Sequence, residues 1–195
     1  MREAAIERQT QETCVSIRLC LDGQGCSSIN TGIGFFDHML NLLSKHGLFD
    51  LSVKAEGDLF IDGHHTVEDC GIVLGQALLQ CLGDKHGIRR YGTAFLPMDE
   101  ALVMVSLDIS GRPYLSCELE LPAASLGGFD TELTEEFLRA LAYNAGITLH
   151  VKQLAGKNTH HIIEAVFKGL GRALEEAVRL DPRVKGVPST KGVLV

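Results

Sequence analysis

The stretch HHTVEDCGIVLGQAL at residues 64–78 has a counterpart, HHIIEAVFKGLGRAL, at residues 160–174. Both copies begin with a His-His-x-x-Glu element and both end with Gly-x-Ala-Leu. Self-similarity of this kind indicates an internal repeat, and a period of roughly ninety-odd residues is too long for the units of a solenoid. The chain is therefore expected to contain two similar folding units.

The first unit shows the periodicities of strand, helix, strand and helix. Alternating apolar residues from Val15 to Leu21 predict a half-buried strand, with residues 4–8 as its pairing partner. Helical spacing begins at Phe36 and stops near Gly47, where a left-handed residue is expected to close the helix. A strand over residues 51–55 and a helix from about His64 to Leu82 complete the unit.

The second unit repeats the order. Alternation predicts strands over residues 103–109 and 115–121, and the Ser-Gly-Arg-Pro run between them predicts a hairpin. A helix over about residues 132–145, a strand over residues 147–151 and a last helix through residues 163–178 follow. The predicted fold class is α/β, an α+β sandwich-like arrangement of two repeated ββαβα units, residues 1–92 and 93–195. Each unit has a small sheet with helices on one face, and the units pack through the helices into one compact catalytic unit.

Composition excludes several classes of protein. A hydrophobic content of 45% in 195 residues is enough for a buried core, and the net charge of −7 without a Lys/Arg cluster argues against a nucleic-acid surface. No apolar run reaches the roughly 20 residues of a membrane span, and the chain start lacks a signal-peptide core, so we expect a cytoplasmic protein. The six cysteines form no C-x-x-C pair and are expected to be free, mostly structural thiols.

The His-His-x-x-Glu elements have the spacing of metal ligands. Adjacent helical positions point about 100° apart, so one histidine pair can serve two metal ions. Each glutamate lies four residues after the first histidine and three after the second, and spacing does not decide which imidazole it joins. Imidazole and carboxylate together suit Mn, Fe, Co, Ni or Zn. One such motif is often plain polar surface, but two copies in register favour a metal site.

Other polar residues extend this set. His150 lies on the polar face of the strand before the second motif, and His38 lies in the helix before the first, although His38 taken alone is typical of a core histidine. His46 and His86 each precede a glycine and fit helix ends. The residues considered for an anionic substrate are Arg90, Arg112, Lys168, Ser189 and Lys191; Lys168 is favoured because it lies one helical turn after Glu164.

Five longer motifs resemble the imidazoleglycerol-phosphate dehydratase family. They are GFFDHML at residues 34–40, DGHHTVED at 62–69, PMDEA at 97–101, SGRPY at 110–114 and NTHHIIE at 158–164. The resemblance spans nearly the whole chain, and the order of the motifs makes it specific. It implies a dehydratase of histidine biosynthesis with two manganese ions per active site. It also implies a homo-oligomeric shell of 24 subunits with sites between subunits, and a phosphorylated imidazole as the small-molecule substrate.

The resemblance also implies individual roles. The implied metal ligands are His38, His64, His65, Glu68, His150, His160, His161 and Glu164. The implied substrate-binding residues are Glu12, His46, Arg90, Arg112, Lys168, Ser189 and Lys191. The implied catalytic residues are Glu12, His65 and Glu164, and Glu12 is one that periodicity does not reveal.

The implied reaction converts imidazole glycerol phosphate to imidazole acetol phosphate and water. The hydrogen that departs is not next to a carbonyl, so our hypothesis is that metal-bound imidazolate acts as the electron sink and expels the hydroxyl through a diazafulvene-like intermediate. Glu12 would move the proton. Two other classes stay open from the residues alone: a binuclear metal hydrolase, and a metal storage or sensing protein without turnover.

Overall fold

The first repeat in the computed structural model, which describes residues 1–194, is a four-stranded sheet with two helices. Its elements in chain order are β1 (Glu3–Gln9), β2 (Thr13–Cys20), β3 (Ser27–Asn30), α1 (Gly34–Gly47), β4 (Asp50–Gly57) and α2 (His64–Leu82). The strands lie in the order β1-β2-β4-β3; β1 and β4 flank β2 antiparallel to it, and the short β3 runs parallel to β4. The alternating pattern from Val15 thus forms the strand that it predicts.

The second repeat has the same topology. Its elements are β5 (Tyr91–Met98), β6 (Ala101–Asp108), β7 (Tyr114–Glu118), β8 (Ser125–Leu126), β9 (Phe129–Asp130), α3 (Leu133–Ala145), β10 (Thr148–Ala155) and α4 (Thr159–Val178). Its main sheet has the order β5-β6-β10-β7, and β8 and β9 form a small separate ribbon. Each repeat is therefore a ββαβα unit with one additional short strand in its main sheet, and the second repeat also has the β8–β9 ribbon. This architecture confirms the predicted fold class.

The hairpin predicted around Ser110–Pro113 is wrong. β6 pairs with β5 and β10, whereas β7 pairs with β10 in parallel, so the two strands expected to be neighbours do not touch each other. The true hairpin joins β5 to β6 through Asp99 and Glu100, and β5 was not predicted at all. Burial does alternate along β5, but its exposed positions include Tyr91 and Phe95, so the sequence shows no polar–apolar alternation. Pro97 also lies within the strand, which is at the edge of the sheet.

The helices fill the space between the two sheets. α2 packs on β1 and β2 and against α3, while α4 packs on β5 and β6 and against α1. Fully buried phenylalanines connect the helices: Phe137 of α3 lies 5.3 Å, centroid to centroid, from both Phe36 of α1 and Phe167 of α4. The sheets thus pack through their helices, and one continuous apolar core results.

Glycines allow two close approaches in this core. A Cβ on Gly92 of β5 would lie 1.9 Å from the carbonyl oxygen of Ala173 on α4, so only glycine fits there. Gly47 ends α1, but the residue in the left-handed conformation is Leu48, with φ of 56°, which corrects the prediction for Gly47. Gly47 is constrained instead by the Phe49 ring, 2.6 Å from where its Cβ would be. Among residues 1–194, no helix has the length and apolar character needed to cross a membrane.

Candidate active site

The second His-His-x-x-Glu element forms the first turn of α4. Asn158 caps the helix, and its side-chain oxygen accepts hydrogen bonds from the backbone N–H groups of His160 and His161. The cap fixes the start of the helix, and the two imidazole rings project nearly perpendicular to each other, at 87° with centroids 6.2 Å apart. The two rings therefore point in different directions and contact different groups.

His160 meets Glu164 and a residue from the first repeat. Nε2 of His38, on α1, lies 2.7 Å from Oε1 of Glu164, and Nε2 of His160 lies 3.3 Å from the same oxygen. Within residues 1–194, these three side chains are the group whose potential ligand atoms converge, all within 4.8 Å of one another. Two imidazole nitrogens and a carboxylate are ligands suited to a divalent transition metal. The donor set of this group fits such an ion.

Glu164 is a buried carboxylate, with 6% of its surface exposed. Burial acts to raise its pKa, but hydrogen bonds from Lys168 and His38 and the charge of Lys168 outweigh burial and hold the pKa at about 2. Lys168 Nζ lies 2.6 Å from Glu164 Oε2, which leaves Oε1 to face the two histidines. The i,i+4 relation predicted between Glu164 and Lys168 is therefore a direct ion pair.

The first element opens α2 in a similar way, but its ligands do not converge. His64 and His65 stand at 90° to each other, and His64 and Glu68 are half-buried near the helix start. His65 Nδ1 lies 3.0 Å from Asp58 Oδ2, and its Nε2 lies 3.7 Å from Glu12 Oε1. The hydrogen bond to Asp58 raises the pKa of His65. Glu12 thus lies beside a predicted metal ligand.

The β1–β2 turn that carries Glu12 is tied to α2 by a buried carboxylate. Asp69, one turn after His65, accepts a hydrogen bond at 2.8 Å from Arg8 Nε and another from the Thr13 hydroxyl. Arg8 and Thr13 flank the turn, so Asp69 holds both strands close to the helix start. The backbone N–H of Asp58 also donates to the carbonyl of Glu12 at 3.1 Å.

His161 has the same kind of surroundings as His65. Its Nδ1 lies 2.8 Å from Glu100 Oε2, and its Nε2 lies 3.8 Å from Asp99 Oδ2. The bond to Glu100 raises the pKa of His161. The pKa of Glu100 is in turn lowered to about 2 by His161 and by the backbone N–H groups of Asn158 and Lys157.

His150 lies apart from these groups within the single chain. It is exposed on β10, where its ring centroid is 5.7 Å from that of Tyr114. Its predicted position on the polar face of a strand is confirmed, whereas its predicted role as a ligand stays a prediction.

Two of the residues predicted for the phosphate, Arg90 and Arg112, meet at Asp108 at the end of β6, whereas Lys168 pairs with Glu164. Arg90 donates from Nε and Nη2 to the Asp108 carboxylate at 2.7 and 3.0 Å, and from Nη1 to the carbonyl of Pro188 at 2.9 Å. Arg112 Nη2 lies 4.0 Å from the same carboxylate and is largely exposed. Next to Pro188, the hydroxyl oxygen of Ser189 accepts a hydrogen bond from the Lys191 backbone. Arg90 therefore links β6 to the segment that carries Ser189 and Lys191.

His46, in the last turn of α1, lies on another part of the α4 surface. Burial and the nearby charges of Lys168 and Arg172 lower its pKa. His46 also lines a cavity of about 540 Å³ with Arg89, Arg172 and Arg179. Lys168 is thus flanked by Glu164 on one side and His46 on the other.

Four carboxylates of these groups were missed in the sequence: Asp58, Asp99, Glu100 and Asp108. None falls within a His-His-x-x-Glu element, and Asp99 and Glu100 reach His161 only through the fold. Asp99 and Glu100 do lie within the PMDEA run that was noted for its resemblance. The PMDEA run is therefore the one sequence feature that could have indicated Asp99 and Glu100 as site residues.

Two solved structures share this fold. The imidazoleglycerol-phosphate dehydratase of Staphylococcus aureus superposes with a TM-score of 0.84 at 46% identity, covering 92% of this chain and 99% of that chain. IGPD from Pyrococcus furiosus superposes with a TM-score of 0.85 at 40% identity, and the match covers 97% of this chain and 100% of that chain. The close likeness to solved dehydratases, at 46% and 40% identity over nearly the whole chain, identifies this chain as an enzyme of the lyase class.

Sequence comparison gives the family. The family model for imidazoleglycerol-phosphate dehydratase matches residues 31–174. Proteins of that name from Acetivibrio thermocellus and Thermoanaerobacter pseudethanolicus are 64% and 63% identical, over 99% and 100% of both chains. The chain belongs to the imidazoleglycerol-phosphate dehydratase family.

Proposed function

We propose that this chain catalyses the conversion of imidazole glycerol phosphate to imidazole acetol phosphate and water, as a metal-dependent step of histidine biosynthesis in the cytoplasm. The observation that carries the proposal is the convergence of His38, His160 and Glu164, from both repeats, on one point. Family membership supports the substrate, and the histidine–carboxylate chemistry supports the metal.

The metal ligands are proposed from both elements. His38, His160 and Glu164 would hold one ion. His64, His65, Glu68 and His161 are the proposed ligands of a second ion, with His150 as a further candidate. Two manganese ions per active site are the proposed cofactors, and when bound they would supply positive charge that favours the deprotonated imidazole ring and polarises the departing hydroxyl.

Glu12 is the proposed base. It is exposed beside His65 Nε2 on a turn that Asp69 and Asp58 hold in place. In the proposed step, the C–H bond of the substrate carbon that keeps its hydroxyl breaks and the proton passes to Glu12. The hydroxyl on the carbon next to the ring departs and leaves as water after taking up a proton. The resulting enol then becomes the ketone.

The phosphate is proposed to bind where Arg90, Arg112, Ser189 and Lys191 lie. Arg90 uses three of its nitrogens within the protein but keeps further N–H groups free for a ligand. Arg112 is exposed and shares the Asp108 carboxylate with Arg90. Lys168 and His46 are proposed to contact the substrate from the α4 side.

Separate copies of the chain are proposed to complete each active site. A single chain brings only three of the proposed ligands together among its described residues, and the other groups are distributed over its surface. Phe60 and Ile61, just before the first element, expose 90% and 60% of their surface, which favours a protein contact beside it. We therefore propose a homo-oligomer with active sites between subunits, and the family resemblance supports a number of 24 subunits.

One experiment tests the proposal directly. Metal-stripped protein is given manganese and imidazole glycerol phosphate, ketone formation is followed, and particle mass is measured by light scattering. We expect that the ketone forms only when manganese is added, and that the particle mass corresponds to about 24 chains. A binuclear hydrolase would release a hydrolysed product instead, and a storage protein would bind manganese without turnover. Either result would contradict the proposal.

A further inference from the structure

The second histidine of each element is held by a carboxylate at Nδ1. In the first repeat His65 Nδ1 lies 3.0 Å and 3.2 Å from the two oxygens of Asp58. In the second repeat His161 Nδ1 lies 2.8 Å from Glu100 Oε2. A carboxylate accepts hydrogen bonds only, so in each case Nδ1 carries the proton. Nε2 of each neutral ring is left with a free lone pair, which is what a metal ligand needs.

The two carboxylates come from different places in the two repeats. Asp58 directly follows β4, in the connection to α2, whereas Glu100 lies in the β5–β6 turn, far from α4 in sequence. Duplication of one ancestral unit would place a carboxylate at equivalent positions. Residues at non-equivalent positions thus form the same contact to Nδ1 in the two repeats. A shared functional need for a carboxylate at Nδ1 explains this better than inheritance from one original residue.

Asp58 and Glu100 each make further hydrogen bonds that involve the backbone near the histidine they contact. Glu100 Oε1 accepts hydrogen bonds from the backbone N–H groups of Asn158 and Lys157, at 2.9 and 3.3 Å, just before α4. Asp58 donates its own N–H to the carbonyl of Glu12. The contact at Nδ1 is therefore part of a rigid local frame in each repeat.

We propose that Asp58 and Glu100 are positioning residues of the metal site, which keep His65 and His161 in the Nδ1-protonated tautomer with Nε2 free to ligate. This inference rests on the proposed metal-dependent function. Outer carboxylates of this kind commonly contribute about 10- to 100-fold to metal affinity. Neither residue lies in a His-His-x-x-Glu element, and neither needs to touch the ion.

The two positions respond differently to an amide substitution. Glu100 Oε1 is already bonded to two backbone N–H groups, so in Glu100→Gln the carbonyl oxygen stays there and the NH₂ group faces His161 Nδ1. An NH₂ donor requires a lone pair on Nδ1 and therefore moves the ring proton to Nε2, which blocks ligation. In Asp58→Asn the carbonyl oxygen can still turn toward His65, because both oxygens of Asp58 are within reach of Nδ1.

The test is a titration of metal-stripped full-length protein with Mn²⁺, in which the free ion is followed by its electron paramagnetic resonance signal. Glu100→Gln is expected to weaken binding by about 10- to 100-fold with an unchanged melting temperature of the metal-free protein. Asp58→Asn is expected to bind nearly as the unaltered protein does, and Asp58→Ala to bind more weakly. Glu118→Gln is the control, because Glu118 is exposed and forms a surface ion pair with Lys152.

The outcomes separate the two proposals. Unaltered affinity in both Glu100→Gln and Asp58→Ala would overturn the positioning role and leave the metal-dependent function intact. Failure of the unaltered protein to bind Mn²⁺ would overturn the proposed function and the positioning role with it. If Glu100→Gln does not fold, the comparison of Asp58→Ala with Asp58→Asn decides, because loss of affinity confined to the alanine variant supports the role and equal affinities overturn it.

Discussion

His38 and Glu164 are separated by 126 residues in the sequence, yet Nε2 of His38 lies 2.7 Å from Oε1 of Glu164. The contact joins α1 of the first repeat to α4 of the second and lies where those helices pack. The two repeats thus share one histidine–carboxylate group, and neither repeat could form it alone.

Replacement of Glu164 by glutamine should remove the metal held by this group. The amide loses the charge that attracts the cation, and Lys168 and the two histidines lose their anionic partner. We expect elemental analysis of purified Glu164→Gln protein to show less bound metal than the unaltered enzyme. A full metal complement would contradict the assignment of Glu164 as a ligand.

Replacement of Glu12 by glutamine should separate catalysis from metal binding. Glu12 Oε1 is 3.7 Å from His65 Nε2, and the turn that carries it is held by Asp69 and Asp58, so the fold should not depend on its charge. We expect kcat to fall by about 10²- to 10⁴-fold with metal content preserved. Turnover at the unaltered rate would remove Glu12 from the role of base.

Arg90 and Arg112 should differ when each is replaced by alanine. Arg112 is exposed and lies at the edge of the cluster, so Arg112→Ala should raise KM with little effect on the melting temperature. Arg90 bonds Asp108 and Pro188, so Arg90→Ala should raise KM and lower the melting temperature as well. Steady-state kinetics and thermal unfolding of both variants test the difference. Equal melting temperatures would contradict the role of Arg90 in linking β6 to the segment that carries Pro188.

The stabilising effect of manganese should grow as pH rises. The hydrogen bonds to Asp58 and Glu100 raise the pKa values of His65 and His161 in the folded protein. In metal-free protein, the protonated forms of these two histidines therefore stabilise the fold at pH below the unfolded pKa. This stabilisation is lost as the pH rises through the folded pKa. Metal ligation requires the neutral rings and therefore has the opposite dependence. The difference between the melting temperatures with and without Mn²⁺ should increase as the pH is raised from about 5.5 to 8.5. A shift independent of pH would refute the prediction.

Gly92 should not tolerate alanine. Its Cβ would lie 1.9 Å from the carbonyl oxygen of Ala173, and a backbone atom inside a packed helix cannot move away easily. We expect Gly92→Ala to destabilise the protein by about 1 to 3 kcal/mol or more. Gly34→Ala is the matched control, because a Cβ there meets no atom within 4 Å. Equal denaturation midpoints for the two variants would contradict the close contact.

The repeat could be read from the sequence because it depends on local pattern. Alternation identified β2, β4, β6, β7 and β10, and helical spacing identified all four helices. Strand neighbours could not be read in the same way. β7 pairs with β10 in parallel, an arrangement that depends on α3 crossing between them, and a turn-like Ser-Gly-Arg-Pro run predicts only the nearest partner.

The candidate site, like the fold, could be predicted only where it depends on local sequence pattern. His160, Glu164 and Lys168 follow from helical spacing alone, whereas His38 was placed in its helix with two interpretations open. Asp99 and Glu100 meet His161 across about sixty residues of sequence, and Asp58 meets His65 across an irregular connection, so neither contact follows from a sequence period. Distances between turns and helix ends are set by the whole fold.

The β5–β6 turn consists of Asp99 and Glu100, and Asp99 adopts the left-handed conformation with φ of 48°. Both side chains face His161, so insertion of one residue would carry both carboxylates out of register while the apolar interior stayed intact. The length of this connection is therefore constrained as tightly as its composition. A variant with a lengthened loop here should be a well-folded protein with an impaired active site.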